Sequence, residues 1–397
     1  MTQLHRIALT CCMMVLLSHR VSAAETTPST TAAALQITHG PYLQAPSQSA
    51  ITVVWVTNRN CVSKVEYGTA ADALGETAVS RHHGLIDVNT TLHSVVLSGL
   101  KAGTAYYYHV VSTEIVDYKP YKTVYGGMVR SKVARFTTLD ERKKQSSFVV
   151  LNDRHEKVPV LKKALESIRW DSIDLAFLNG DMISDPGKEE QVYKAVVDPC
   201  SSFFAACVPF VYARGNHETR GLLARRLMDW FPTDSGRYYY SISHGGVCFT
   251  MLDAGEDKAD TSSEYSGLVD FEPYLKQETE WLRKEVQSDP FRKANFRVVL
   301  VHIPPTGMED PKFIREKWVL QTWGPIFEKA KVDLVLSGHT HEYAETPPRE
   351  GKNAFPMIIG GTETVIRGDV SEECLSVRVS NNDGTSKLSP LLIEKRR

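Results

Sequence analysis

Between residues 148 and 341, five short apolar runs each stop at a residue type that binds metal. FVVLND ends in Asp153 with His155 just beyond it, IDLAFLNGD ends in Asp181, and VPFVYARGNHE carries Asn216, His217 and Glu218. VVLVHIPP carries His302, and VDLVLSGHTH carries His339 and His341. Apolar runs without polar alternation read as strands buried on both faces, the habit of parallel sheets. The stretches VPVLKKALESIRW and EPYLKQETEWLRKEV place apolar residues at helical spacing. Strands interleaved with amphipathic helices make an α/β layer sandwich. In such sheets ligands bind in the crevice outside the carboxyl ends of the strands. The pattern therefore predicts one site fed by five strand ends.

The residue types restrict what sits there. Carboxylate, carboxamide and imidazole donors without thiolate suit Zn, Mn or Fe rather than a thiolate-bound centre. Two Asp, one Asn and four His, with His217 beside them, exceed what one ion needs, whereas two ions bridged by one carboxylate would use them all. Such a pair clamps the attacking and leaving oxygens of an in-line displacement at phosphorus and supplies a metal-bound hydroxide as nucleophile. Hydrolysis of a phosphate ester is the implied chemistry. Each element alone is weak, since Gly-His-x-His recurs by chance and a lone strand-end His is commonly structural. Five in order, each directly after an apolar run, make the signal specific.

Upstream the text changes. Arg6 precedes the apolar stretch IALTCCMMVLLS and the small residues of VSAA, so residues 1–23 read as a secretory signal. Its apolar run is too short for a stable membrane span, and no membrane span is expected after cleavage. The chain is then exported, to a periplasmic, cell-surface or secreted destination. Residues 24–34, rich in Thr and Ala, read as a flexible linker. From 35 to 140, β-branched and aromatic runs such as SAITVVWVT, LHSVVLSGL and AYYYHVVS alternate with turn residues, the pattern of a β-sandwich of about 100 residues. His82 and His83 fall in its polar turns. The charged segment LDERKKQSS separates this domain from an α/β domain over 147–397.

Charge and cysteine usage exclude other classes. Lys+Arg 46 against Asp+Glu 47 leaves a net charge of −1, which moves to −3 when Arg6 and Arg20 leave with the signal. That balance supplies no nucleic-acid-binding surface. Cys61, Cys200, Cys207, Cys248 and Cys374 remain after cleavage, an odd number without zinc spacing, so no disulfide framework is expected. Cys200 and Cys207 are close enough in sequence to bridge, a point that spacing leaves open.

The series NDRH, NGDMIS, GNHE, LVHIPP and SGHTH resembles the five blocks of the calcineurin-like metallophosphoesterases across residues 147–365. HGPYLQ, ITVVWVT, VEYGT and LSGLKAGTAYYYHV resemble the fibronectin type III-like N-terminal domain of purple acid phosphatases. The resemblance implies a β-sandwich followed by a four-layer α/β/β/α sandwich. It also implies one metal site from Asp153, His155 and His341, a second from Asn216, His302 and His339, and Asp181 bridging them. His217 would protonate the leaving alkoxide or hydrogen-bond the phosphoryl oxygens, a role suited to imidazole. Glu218 would either orient His217 or hold its loop. Arg154, Arg214 and Arg220 would either contact phosphate or form structural ion pairs. His244 would be a hairpin residue rather than a ligand.

The chain departs from the purple enzymes where they carry a tyrosine ligand three residues after the bridging Asp, since Ser184 stands there, and His155 has no counterpart in their first block. Two divalent ions, without the tyrosinate that gives the purple colour, are the expectation. Loops 254–270 and 305–313 would shape the choice between mono- and diesters. The competing reading is a cell-surface binding protein that uses the sandwich and carries a degenerate phosphoesterase domain. Intact ligand types in every block argue against it.

Overall fold

The computed structural model describes residues 34–305, 314–349, 353–387 and 389–396. The expected signal segment and nearly all of the expected linker lie outside the described residues. Among the described residues no helix is long and apolar enough to cross a membrane. Residues from Leu35 onward form one compact unit.

The N-terminal part is built on the strand Ala50–Gly68, which is 19 residues long and serves two layers. Its first half pairs antiparallel with Ile37–Gln44 and Thr90–Ser98. Its second half pairs with Ala105–Lys119 and Glu76–Ala78. The register breaks between Val56 and Cys61, where the strand passes from one layer to the other. The sandwich is thus one continuous hydrogen-bonded sheet of seven strands. Leu43, Val53, Trp55, Val65, Tyr108 and Phe136 fill its core. Because strand side chains alternate faces, Tyr42, Val54 and Val56 point the other way and join the core of the α/β part. There the Tyr42 hydroxyl donates to the Trp230 carbonyl at 2.8 Å, and Leu43 N–H donates to the Ala205 carbonyl at 2.9 Å.

Among the described residues the α/β part holds two mixed six-stranded sheets. In the first, Phe210–Ala213, Leu175–Asn179 and Ser146–Leu151 are parallel neighbours, continued by antiparallel Thr364–Val370, Cys374–Asn381 and Leu391–Glu394. In the second, Val247–Leu252, Phe296–Val301, Leu334–Ser337 and Met357–Ile359 run parallel, flanked by antiparallel Tyr240–His244 and Ala344–Thr346. The apolar runs of the sequence are these strands, buried because both of their faces are covered. Phe148, Val150, Phe177, Phe249, Leu300 and Leu336 pack between the sheets. Each such side chain contributes about 1.5–3 kcal/mol on leaving water. Helix Val158–Ser167 covers the outer face of the first sheet through Leu161, Ala164 and Leu165. Helices Phe271–Glu285, Ile314–Thr322 and Gly324–Ala330 cover the outer face of the second. The result is the four-layer α/β/β/α sandwich expected from the sequence, with a sheet domain at its N-terminal end.

Candidate metal centre

Parallel register brings the ligand residues together. Leu151 lies opposite Leu178, and Asn179 opposite Ala213, so Asp153, Asp181 and Asn216 leave the first sheet on one edge. His302 and His339 follow the parallel strands Phe296–Val301 and Leu334–Ser337 of the second. The turns that aim these residues are unusual. Asp153, His155, Asp181, His339 and His341 all have positive φ, between 45° and 74°. Such conformations cost energy in residues other than glycine and gather at functional sites. Close approach also requires glycine: a Cβ on Gly180, at φ 84°, would lie 2.4 Å from His302 Nδ1, and one on Gly215 would lie 2.3 Å from Asp181 Oδ1.

The donors form two groups that share Asp181. Asp153, His155, Asp181 and His341 make one, and Asp181, His302 and His339 the other, each with ligand atoms within 4.8 Å of one another. In the first, the Nε2 atoms of His155 and His341 face each other at 2.9 Å. His155 Nε2 is 3.8 Å from Asp181 Oδ2, and His341 Nε2 is 3.8 Å from Asp153 Oδ1. In the second, His302 Nε2 is 3.1 Å from Asp181 Oδ2, and Asn216 Oδ1 is 3.1 Å from His339 Nδ1. All seven predicted ligand residues therefore converge.

Outer partners fix how these groups present themselves. His302 Nδ1 sits 2.8 Å from the Asn179 carbonyl, so the N–H points there and Nε2 faces the site. The Asp153 carboxylate accepts from the His339 main-chain N–H at 3.0 and 3.1 Å and from Asn152 Nδ2. Among the described residues, two buried atoms in the middle, Asp181 Oδ2 and His302 Nε2, have no hydrogen-bond partner of acceptable geometry despite their proximity. Buried polar atoms are normally satisfied, and an orphaned carboxylate oxygen facing an orphaned imidazole nitrogen fits a shared cation. The pKa pattern agrees in sign. Burial works against charge on His302, but Asp181, Asp153 and the Asn179 carbonyl outweigh it and raise its pKa to about 10. For Asp181, burial is outweighed by His302 and His217, which hold it below the usual carboxylate range. Burial raises Asp153 against the pull of His302, and burial lowers His155 to about 4. Oxygen and imidazole donors around buried carboxylates fit a dinuclear metal site.

The remaining predicted residues separate by contact. His217 lies at the rim, its Nε2 4.0 Å from Asp181 Oδ2 and its Nδ1 3.1 Å from the Ser184 carbonyl. Ser184 Oγ is 3.4 Å from His155 Nδ1, in the place where the purple enzymes carry tyrosine. Glu218 does not touch His217 by any hydrogen bond of the described residues. It is fully buried and accepts from the main-chain N–H groups of Asp181, Met182, Ile183 and Gly215 and from the Tyr212 hydroxyl, at 2.7 to 3.1 Å. Of its two sequence-based roles, the geometry supports holding the loop. Arg154 and Arg214 are turned inward, the first onto the Thr362 and Thr364 carbonyls and Asn382, the second onto Asp253 and the Tyr238 ring. Arg220 alone of the three reaches the rim. It pairs with Glu256 through Nε at 2.8 Å and NH2 at 3.0 Å, and lays NH1 3.2 Å from both His217 ring nitrogens. His244 ends a hairpin strand away from the site and accepts from Asp140 N–H. All five described cysteines, Cys200 and Cys207 included, are free thiols.

Two contributors escaped the sequence reading. Glu316 places Oε1 3.1 Å from His339 Nε2, and Glu256 anchors Arg220. Neither adjoins a motif, and a lone Glu in a helix or an acidic loop carries no local signal.

Comparison with known proteins bears on the family and the fold. The sequence profile of the calcineurin-like phosphoesterases matches residues 146–343, and that of the purple acid phosphatase N-terminal domain matches residues 39–138. Purple acid phosphatase 18 of Arabidopsis thaliana is 23% identical over 313 residues, 74% of this chain and 63% of the plant protein. The serine/threonine-protein phosphatase CPPED1 of Bos taurus is 30% identical over 165 residues, 40% of this chain and 50% of its own. The chain thus spans less than two thirds of the length of these relatives. Among solved structures, purple acid phosphatase PPD1 from yellow lupin superposes with TM-score 0.66 at 16% identity, over 89% of this chain and 74% of its own. PhoD does so with TM-score 0.61 at 13% identity, over 89% of each chain. At such identities the structures speak for the fold.

Proposed function

The chain belongs to the calcineurin-like phosphoesterases, with an N-terminal domain of the purple acid phosphatase type, and on that footing we propose that it is an exported, dinuclear metal-dependent phosphoesterase. The observation that carries the reading is Asp181: one buried carboxylate shared by two donor groups, with an oxygen left without a hydrogen bond among the described residues. Asp153, His155 and His341 would hold one ion, Asn216, His302 and His339 the other, and Asp181 both. Two divalent ions bound there, Zn, Mn or Fe, would supply Lewis acidity at phosphoryl oxygens and would lower the pKa of water for attack on phosphorus.

The chain's own residues do the rest. His217, with Nδ1–H directed to the Ser184 carbonyl, turns Nε2 toward the crevice, where it can give a proton to a departing alkoxide or donate to a phosphoryl oxygen. Glu218 keeps the backbone of Asp181 to Ile183 in place through three main-chain bonds and ties it to Gly215 through a fourth. We place the junction between the sandwich, 35–140, and the catalytic domain, 147–397, in the intervening charged segment. The sandwich packs through Tyr42, Val54 and Val56 against the same core that underlies the first sheet, a scaffolding role.

The test is release of p-nitrophenol from its phosphate mono- and diesters, with and without Mn or Zn. Turnover that depends on metal is expected. His217→Ala should retain metal and lose most activity on esters with poor leaving groups, because only those need a proton delivered. No turnover with any metal, in protein that binds two ions, would remove the enzymatic reading and favour a binding protein.

A further inference from the structure

The two histidines of the second donor group are held from opposite ring atoms by acceptors of different charge. His302 gives Nδ1–H to a neutral carbonyl, that of Asn179 at 2.8 Å. His339 turns Nδ1 toward Asn216 Oδ1, at 3.1 Å, and Nε2 toward the Glu316 carboxylate, also at 3.1 Å. Glu316 is 3% exposed. A carboxylate that far out of water is costly unless a donor faces it, and here His339 Nε2–H does.

Its placement is itself secured. Glu316 stands in helix Ile314–Thr322, and its neighbour Arg315, also buried, ties the start of that helix to the 254–260 loop. Arg315 N–H donates to the Asp257 carbonyl at 3.2 Å and Arg315 Nε donates to the Glu256 carbonyl at 3.1 Å. The His339 main chain is pinned from the other side by Asp153 and by its φ of 74°. Ring and carboxylate thus meet between two independently fixed elements.

We infer that Glu316 is the positioning residue that holds His339 in its Nε2–H tautomer, presenting Nδ1 to the ion and strengthening one of the two metal sites selectively. The inference rests on the metal-centre reading above. A carboxylate behind a ligating imidazole fixes its tautomer and orientation and raises its basicity, and its loss typically costs about 10–100-fold in metal affinity. Because the ligand residue that Glu316 meets is His339 of the second group, the effect belongs to the site of Asn216, His302 and His339. The site of Asp153, His155 and His341 should not feel it.

The experiment is calorimetric titration of the metal-depleted full chain with Zn²⁺ or Mn²⁺. Two ions are expected in the wild type. In Glu316→Gln one of them should bind about 10–100-fold more weakly, with the other unchanged and the unfolding temperature of the metal-depleted protein preserved. In a His339→Ala background, Glu316→Gln should add no further loss. Should the amide variant fail to fold, Glu316→Asp takes its place: a shorter carboxylate withdrawn from Nε2 should weaken the same single site. Unchanged affinities, equal weakening of both ions, or the same loss in the His339→Ala background would overturn the inference while leaving the metal centre intact. A wild type that binds no ions would overturn the metal centre, and the inference with it.

Discussion

Replacing Glu218 by Gln exchanges one oxygen for an amide nitrogen at nearly constant volume, so it isolates the acceptor role. The two carboxylate oxygens divide five donors: Oε2 serves Asp181 and Gly215 N–H, and Oε1 serves Met182 and Ile183 N–H and the Tyr212 hydroxyl. Glutamine has one acceptor oxygen. Placed at Oε1, it strands the two N–H groups opposite Oε2 and confronts them with an NH₂; placed at Oε2, it strands three donors. A buried donor left without a partner costs about 1–3 kcal/mol. Two of them amount to about 2–6 kcal/mol, against a total stability of about 5–15 kcal/mol for a domain. Denaturant titration of the metal-depleted protein should show a lower midpoint at unchanged slope. Activity should fall equally across leaving groups, since the backbone that carries Asp181 is what loosens. An unfolding free energy within about 0.5 kcal/mol of wild type, combined with losses confined to poor leaving groups, would refute this reasoning and restore Glu218 as a residue acting through His217.

Three further outcomes follow from single features. Gly180→Ala should abolish metal binding and activity, because its Cβ would collide with the His302 ring at a φ of 84°; a variant that binds two ions normally would show that the turn relaxes. The metal-loaded protein should lack a tyrosinate charge-transfer band, because Ser184 stands beside His155; visible absorption lost on mutating a tyrosine would contradict this. Burial lowers the pKa of His93 in the sandwich core from 6.5 to about 4. The unfolded chain therefore takes up a proton first, and the stability this group contributes is full above about 6.5 and lost as pH falls toward 4. That is about 3 kcal/mol at most, measurable as a difference in pH dependence of unfolding between wild type and His93→Gln. Equal slopes would sink it.

The α/β architecture and seven candidate ligands were legible because each signal is local. A buried parallel strand shows as an unbroken apolar run, and the ligand stands within a few residues of its end, as in FVVLND before His155 or VDLVLSG before His339. The roles of the residues beside the motifs were not legible, since neighbours in sequence leave a strand end in opposite directions. Arg154 follows a ligand and points into the protein interior, whereas Arg220 reaches the rim. The sandwich was recognisable from its alternating strands. That one strand crosses between its layers, and buries its other face in the second domain, is a matter of pairing across the fold.

By itself the sequence determined which strands would be buried, which residue types would gather at their ends, and hence that phosphorus chemistry with two ions was the natural reading. Only the tertiary structure decided the rest. It assigned Glu218 to the loop, left the five thiols unpaired, brought Glu316 behind His339 and set Arg220 on His217. The physical reason is one of range. Apolar periodicity and strand-end position are written within a dozen residues. The acceptor that fixes a ring, or the donor that satisfies a buried carboxylate, comes from whichever element the packing of distant layers places opposite.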